Sequence, residues 1–135
     1  MYTIKVEHAF DAAHHLPEYV GKCQRVHGHR WRVEVEWTAK IAIDAGSRRG
    51  MIEDFANLKS ILREAIDEYD HRDLNDCAPF CEHDIPPTAE MIAIALFTRI
   101  DVISSKLVPA LICSLKSVTV HEGPGSSVKY EPSQV

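Results

Sequence analysis

Residues 22–31 read Lys-Cys-Gln-Arg-Val-His-Gly-His-Arg-Trp. Cys23, His27 and His29 fall within seven residues. In an extended chain, residues two apart project from the same face, so His27 and His29 can reach one ion. Gly28 between them has no Cβ, which lets the backbone twist to bring the rings together. A third ligand is needed, and His14 supplies it if its segment and this one are neighbouring strands. Three histidines with an open fourth position is the arrangement of catalytic zinc, whereas a closed structural site takes a fourth protein ligand. His-x-His pairs also occur in cores and on surfaces without metal, so the spacing leaves both readings open.

The flanking sequence supports the strands. Downstream, residues 30–41 alternate, with Trp31, Val33, Val35 and Trp37 against Arg32, Glu34 and Glu36, which predicts a half-buried strand begun by the His-Gly-His segment. Upstream, residues 2–10 set Tyr2, Ile4, Val6, His8 and Phe10 against Thr3, Lys5 and Glu7, and predict another. Residues 11–25, holding Pro17 and Gly21, are expected to form a loop. After a connection over 42–50, Asp54 is placed as an N-cap. Phe55, Leu58, Ile61, Leu62, Ala65, Ile66 and Tyr69 then recur at helical spacing, giving one apolar face that should end near Asp70-His71. Residues 72–87, with Pro79, Pro86 and Pro87, read as a loop. Thr88 caps a second helix, with Glu90 favourably placed for its dipole and Ile92, Ala93, Ala95, Leu96, Ile100 and Ile103 as its buried stripe. Residues 116–122 and 127–131 predict two short strands around Gly123-Pro124-Gly125.

The order is ββααββ: an α+β layer of four antiparallel strands with two helices on one face. Outer strands of such a sheet carry unpaired edges, commonly closed by oligomerisation, so a symmetric homo-oligomer with sheets continuing between subunits is expected. The 135 residues suit one domain, 1–135, with a real core. Apolar residues make up 45% and charged ones 26%, and net charge is −5. That balance argues against nucleic acid and anionic membranes as partners. Met1 leads directly into the alternating stretch, with no signal peptide or spanning segment, so a cytoplasmic location is expected. Cys23, Cys77, Cys81 and Cys113 are too dispersed for a disulfide framework. Cys113 reads as buried filler, and Cys77-x3-Cys81-x-His83 lacks a standard knuckle spacing.

Six ordered motifs run along the chain: Phe10-Asp-Ala-Ala-His14, Lys22-Cys23-x3-His27-Gly-His29, Gly50-Met51-Ile-Glu-Asp54-Phe55, Asp70-His71-Arg-Asp-Leu74-Asn75, Pro87-Thr88-Ala-Glu90 and Val120-His-Glu122. Together they resemble the 6-pyruvoyl-tetrahydropterin synthase superfamily from residue 4 to residue 130. The resemblance implies the tunnelling fold, in which trimers close their sheets into a barrel and two trimers stack into a homohexamer. The three-residue spacer between Cys23 and His27 resembles the 6-carboxy-tetrahydropterin synthase branch. That branch implies conversion of 7,8-dihydroneopterin triphosphate, a pterin triphosphate, to 6-carboxy-tetrahydropterin, with loss of acetaldehyde and triphosphate, in queuosine and 7-deazaguanine biosynthesis. The implied roles are zinc ligation by His14, His27 and His29, a catalytic thiol at Cys23, and a partner acid–base pair, Asp70 and His71, acting across a subunit interface. Glu122 matches the carboxylate that anchors the pterin ring, and Thr88 and Glu90 the helix motif supporting the pocket. His15 matches no role. Two departures stand out: Gly123 where the family usually has threonine, and Met91 where it usually has asparagine.

The residue types suit that chemistry. Three neutral histidines leave zinc more positive than thiolates would, which strengthens it as a Lewis acid. A thiolate at Cys23 serves as a base, and an imidazole at His71 both takes and gives a proton at neutral pH. A carboxylate at Glu122 can meet a guanidine-like ring edge with two hydrogen bonds. Without the resemblance, Glu122 reads as a solvated strand end, Asp70-His71 as a helix C-terminal charge pair, and Cys23 equally as an inert thiol. Lys22, Arg25, Arg48, Arg49 and Arg72 are the candidate triphosphate cations. The alternatives are a 6-pyruvoyl-tetrahydropterin synthase and a catalytically silent pterin- or zinc-binding oligomer. A zinc hydrolase is disfavoured by the lack of a His-Glu-x-x-His motif.

Overall fold

The computed structural model describes residues 1–107 and 111–133. Two 13-residue strands, β1 (Tyr2–His14) and β2 (His27–Ala39), form an antiparallel ladder from Tyr2↔Ala39 to His14↔His27. Helix α1 (Phe55–Asp67), the two-residue strand β3 (Arg72–Asp73), the single-turn helix α2 (Phe80–His83) and helix α3 (Ala89–Lys106) follow. Strands β4 (Ser114–Glu122) and β5 (Ser127–Tyr130) complete the sheet, whose order is β3-β1-β2-β4-β5.

The α+β class and the order of the long elements agree with the sequence reading, with four revisions. Residues 11–14 are strand, not loop, because Ala12, Ala13 and His14 pair with His29, Gly28 and His27. β2 begins at His27, as expected of a strand started by the His-Gly-His segment. A fifth strand, β3, pairs parallel with Ala12 and Ala13, and a third helix, α2, forms in the expected loop. Finally, His8 and Phe55 are exposed despite their periodic positions.

Side-chain parity decides where the site sits. Even residues of β1 (Ile4, Val6, Phe10, Ala12, His14), odd residues of β2 (Trp31, Val33, Val35, Trp37) and Val118 and Val120 of β4 are buried. They face α1 and α3, which return Leu58, Ile61, Leu62, Ile66, Ile92, Leu96 and Ile100 to one continuous core. Each fully buried side chain of this size contributes about 1.5–3 kcal/mol. Asp54 accepts from Ala56 N at 2.8 Å and Thr88 Oγ1 from Met91 N at 3.3 Å, so both expected N-caps are present. Cys113 is buried, as expected of filler, and burial pushes its thiol pKa up. Cys77 is buried too and its Sγ lies 3.3 Å from Asp73 O. It gathers no metal-ligand group with Cys81 and His83 among the described residues.

The opposite sheet face is polar. Lys5, Glu7, Arg32 and Glu34 form a chain of ion pairs, and Lys129 reaches Glu36 at 2.7 Å. The outer edge of β1 from Tyr2 to Asp11 has no strand partner among the described residues. No helix among those residues is long and apolar enough to cross a membrane.

Candidate metal centre and flanking groups

The inward parity of both long strands continues to the end of the sheet, where polar side chains replace the apolar ones. His14 lies directly opposite His27 in the ladder, and His29 is two residues further along β2 on the same face. The rings stand edge to face, with centroid separations of 4.6 Å for His14–His27, 4.8 Å for His27–His29 and 5.1 Å for His14–His29. Trp31 closes the site from the core side, 5.0 Å from His14 and 5.1 Å from His29, with its Nε1–H donated to Ala12 O at 3.2 Å. β4 presents Glu122 on the same inward face as Val118 and Val120, paired in register with Trp31. His14, His27, His29 and Glu122 thus bring one ligand atom each within 4.8 Å of the others.

Backbone carbonyls set the tautomers. His14 Nδ1 lies 2.8 Å from Pro87 O, and His27 Nδ1 lies 2.6 Å from Arg25 O. A carbonyl only accepts, so each Nδ1 carries the proton and each Nε2 is left as a lone pair. Metal-ligating histidines are commonly held in this way by an outer hydrogen bond. Burial lowers the pKa of His14, and that of His29, below the ordinary 6.5, with Glu122 opposing it. The Nε2 atoms of His14 and His29 are buried and have no hydrogen-bond partner. Converging imidazole nitrogens beside a carboxylate fit a divalent, nitrogen-preferring ion such as zinc.

The remaining expected residues lie outside the four-residue group. Cys23 lies in a 3-10 turn, Lys22–Gln24, half-buried and with a free thiol, outside the four-residue group. The turn is tied to the strand end by Leu16 N donating to Cys23 O at 2.8 Å. Thr88 is the α3 cap, and Glu90 is exposed on the first turn. The contribution of this segment to the centre comes from Pro87, whose carbonyl orients His14.

Asp70 and His71 follow α1. Adjacent residues pair poorly within a helix, but here the helix has ended, and His71 adopts φ 59, an uncommon conformation for a non-glycine residue. This brings His71 Nδ1 to 2.9 Å from Asp70 Oδ1. Asp11 N donates to Asp70 Oδ1 at 3.0 Å, and His71 N donates to Asp11 O. The Asp11 N–H holds the Asp70 carboxyl below its ordinary pKa of 3.8. One open groove is lined by Asp11, Gly28, His29, Arg30, His71 and Arg72, so His71 and the backbone around His29 border a common space. His71 has 78% of its side chain exposed. Asp11 and Pro87 escaped the sequence reading because they act through backbone atoms, which residue type does not reveal.

The family model described as 6-pyruvoyl tetrahydropterin synthase matches residues 3–133. A Synechocystis protein named 6-carboxy-5,6,7,8-tetrahydropterin synthase is 37% identical over 131 residues, covering 96% of this chain and 93% of that protein. A Bacillus subtilis protein of the same name is 32% identical, covering 91% and 80%. The solved 6-pyruvoyl tetrahydropterin synthase of Caenorhabditis elegans superposes with a TM-score of 0.80 at 28% identity, over 98% of this chain and 96% of that one. With its fold and nearly its whole length matched, this chain belongs to the 6-pyruvoyl tetrahydropterin synthase family.

Proposed function

We propose that this protein is a zinc-dependent carbon–carbon lyase that converts 7,8-dihydroneopterin triphosphate to 6-carboxy-5,6,7,8-tetrahydropterin, releasing acetaldehyde and triphosphate. The observation that carries the reading is the convergence of His14, His27 and His29, with two buried, unpartnered Nε2 atoms, at the mouth of the sheet. The 6-carboxy product is supported by the names of the Synechocystis and Bacillus relatives and by the short spacer between Cys23 and His27.

The chain's own groups divide the work. Zinc, held by the three histidines, supplies a Lewis acid that acidifies side-chain hydroxyls and stabilises developing negative charge. Cys23 takes a proton from the substrate side chain. His71 moves a proton with Nε2 while Asp70 holds its Nδ1, an arrangement that fixes the ring and stabilises it when charged. Glu122 receives the guanidine-like edge of the pterin ring, and Thr88 and Glu90 support the pocket wall. His71 is exposed in the single chain, which suits a group that completes the site of a neighbouring subunit. The unpaired β1 edge suits a barrel of three chains, two such trimers making a homohexamer. The place of the reaction is cytoplasmic 7-deazaguanine biosynthesis.

The test is anaerobic incubation of the zinc-loaded protein with 7,8-dihydroneopterin triphosphate, products being identified by mass spectrometry. Acetaldehyde with a 6-carboxy pterin is expected. A 6-pyruvoyl product without acetaldehyde supports the second reading, which the C. elegans structural match favours. No turnover with zinc bound points to a pterin-binding protein.

A further inference from the structure

We infer that Glu122 is a fourth metal ligand in the substrate-free protein and gives up that position when a pterin arrives. The inference rests on the metal reading of the three histidines and on the pterin reading above. It starts from a carboxylate set directly against two of the three rings. Glu122 Oε1 lies 2.8 Å from His29 Nε2 and 3.5 Å from His14 Nε2. Pro87 O accepts from His14 Nδ1, so Nε2 is the ring nitrogen that faces the carboxylate. Neither Nε2 makes a hydrogen bond. A divalent cation between them would be shared by all of these donor atoms.

Three imidazole nitrogens and one carboxylate oxygen are the number and kind of donors that close a tetrahedral zinc site. The backbone places the fourth donor firmly. Glu122 pairs with Trp31, two residues from His29 on the same strand, and Glu122 N donates to Ser126 O at 3.2 Å across the hairpin. The side chain itself is 32% exposed, so it is free to swing while its backbone stays fixed. A closed site has no position for a substrate. The same carboxylate is the proposed partner of the ring edge, and it cannot hold both places. Arrival of the ring therefore draws Glu122 off the metal, and the open position appears only when a pterin is present. An unoccupied centre stays shielded from other ligands.

The experiment replaces zinc by Co(II), whose visible bands report coordination number and ligand type, in wild type and in Glu122→Gln. The variant keeps size and hydrogen-bonding capacity, and a partly exposed side chain is not needed for folding. The expected result is a changed band intensity and position in Glu122→Gln, with Co(II) affinity lowered about tenfold or more. Adding neopterin, which has the ring and the hydroxylated side chain but no phosphates, should move the wild-type spectrum strongly and the variant spectrum little. Identical spectra and affinities in the two proteins overturn the inference while leaving the three-histidine site standing. Failure of wild type to bind Co(II) overturns both, and His27→Ala shows what that failure looks like.

Discussion

His14 donates its Nδ1–H to the carbonyl oxygen of Pro87 at 2.8 Å, joining the most buried of the candidate metal ligands to the residue before a helix cap. Thr88 holds that turn, accepting from Met91 N through its hydroxyl and donating its own N–H to Pro86 O. Stability and metal affinity should therefore be coupled at one side chain. Thr88→Ala should lower stability by about 1 kcal/mol through the lost cap. It should also weaken zinc binding by about tenfold, because the carbonyl that orients His14 is released. Thr88→Ser should restore both. Denaturant unfolding and chelator competition on the same three proteins measure the two effects, and a lost cap with unchanged affinity would uncouple them.

Metal retention and turnover should separate cleanly. His27→Ala removes a convergent Nε2 and should lose zinc on dialysis, with activity lost as a consequence. Cys23 lies outside the ligand group, so Cys23→Ala should keep stoichiometric zinc and fail to turn over. Metal analysis beside product assays reads the split. Full activity in Cys23→Ala would assign the base elsewhere.

If His71 completes the site of a neighbouring subunit, two inactive proteins can repair one another. Cys23→Ala and His71→Ala should each be inactive alone. Unfolded together and refolded, they should regain activity, because random assembly gives about a quarter of the sites an intact cysteine and an intact histidine from different chains. Refolding each variant by itself is the control. If all the catalytic groups came from one chain, mixing would restore nothing.

The extent to which the sequence disclosed this centre depended on the kind of information each residue carries. The strand alternation that buries Trp31, Val33, Val35 and Trp37 also places His27 and His29 inward, so periodicity located two of the candidate ligands. It failed at residues 11–14, where Ala12 and Ala13 are neutral in propensity and the strand exists because β2 pairs with it. Phe55 was misplaced by the same logic in reverse. It fits the helical stripe by spacing, yet it lies in the first turn, ahead of the contact with the sheet, and is 57% exposed. The positions of Glu122 beside His29 and of Pro87 behind His14 depend on tertiary pairing across 93 and 73 residues, which no local pattern encodes.

Acid should reveal the charge on Asp70. The Asp11 N–H holds its folded pKa below the ordinary 3.8, so the ionised form stabilises the fold. That contribution is fully present above the ordinary value and is lost as pH falls through the lower folded one. Asp70→Asn keeps an acceptor for Asp11 N–H but no charge. Its melting temperature should fall short of wild type by a steady margin from neutral pH to about pH 5, and the margin should close below pH 3.8. Thermal unfolding across that range measures it, and a margin that persists to the acid end would assign the difference to something other than charge.

The glycine that follows Glu122 is a requirement of the hairpin. Gly123 has φ +80, and a Cβ built there would meet nothing within 4 Å. Its constraint is therefore backbone conformation alone, which a β-branched residue resists most. Restoring the family's usual threonine should not improve the protein. Gly123→Thr should destabilise it by about 1–2 kcal/mol, whereas Gly123→Asn, which tolerates the left-handed region, should cost less. Because Glu122 N is held by Ser126 O across this turn, Gly123→Thr should also weaken pterin binding more than Gly123→Asn does. Denaturant unfolding and neopterin titration on both variants test the ranking. Tighter pterin binding by the threonine variant would show that the hydroxyl outweighs the turn.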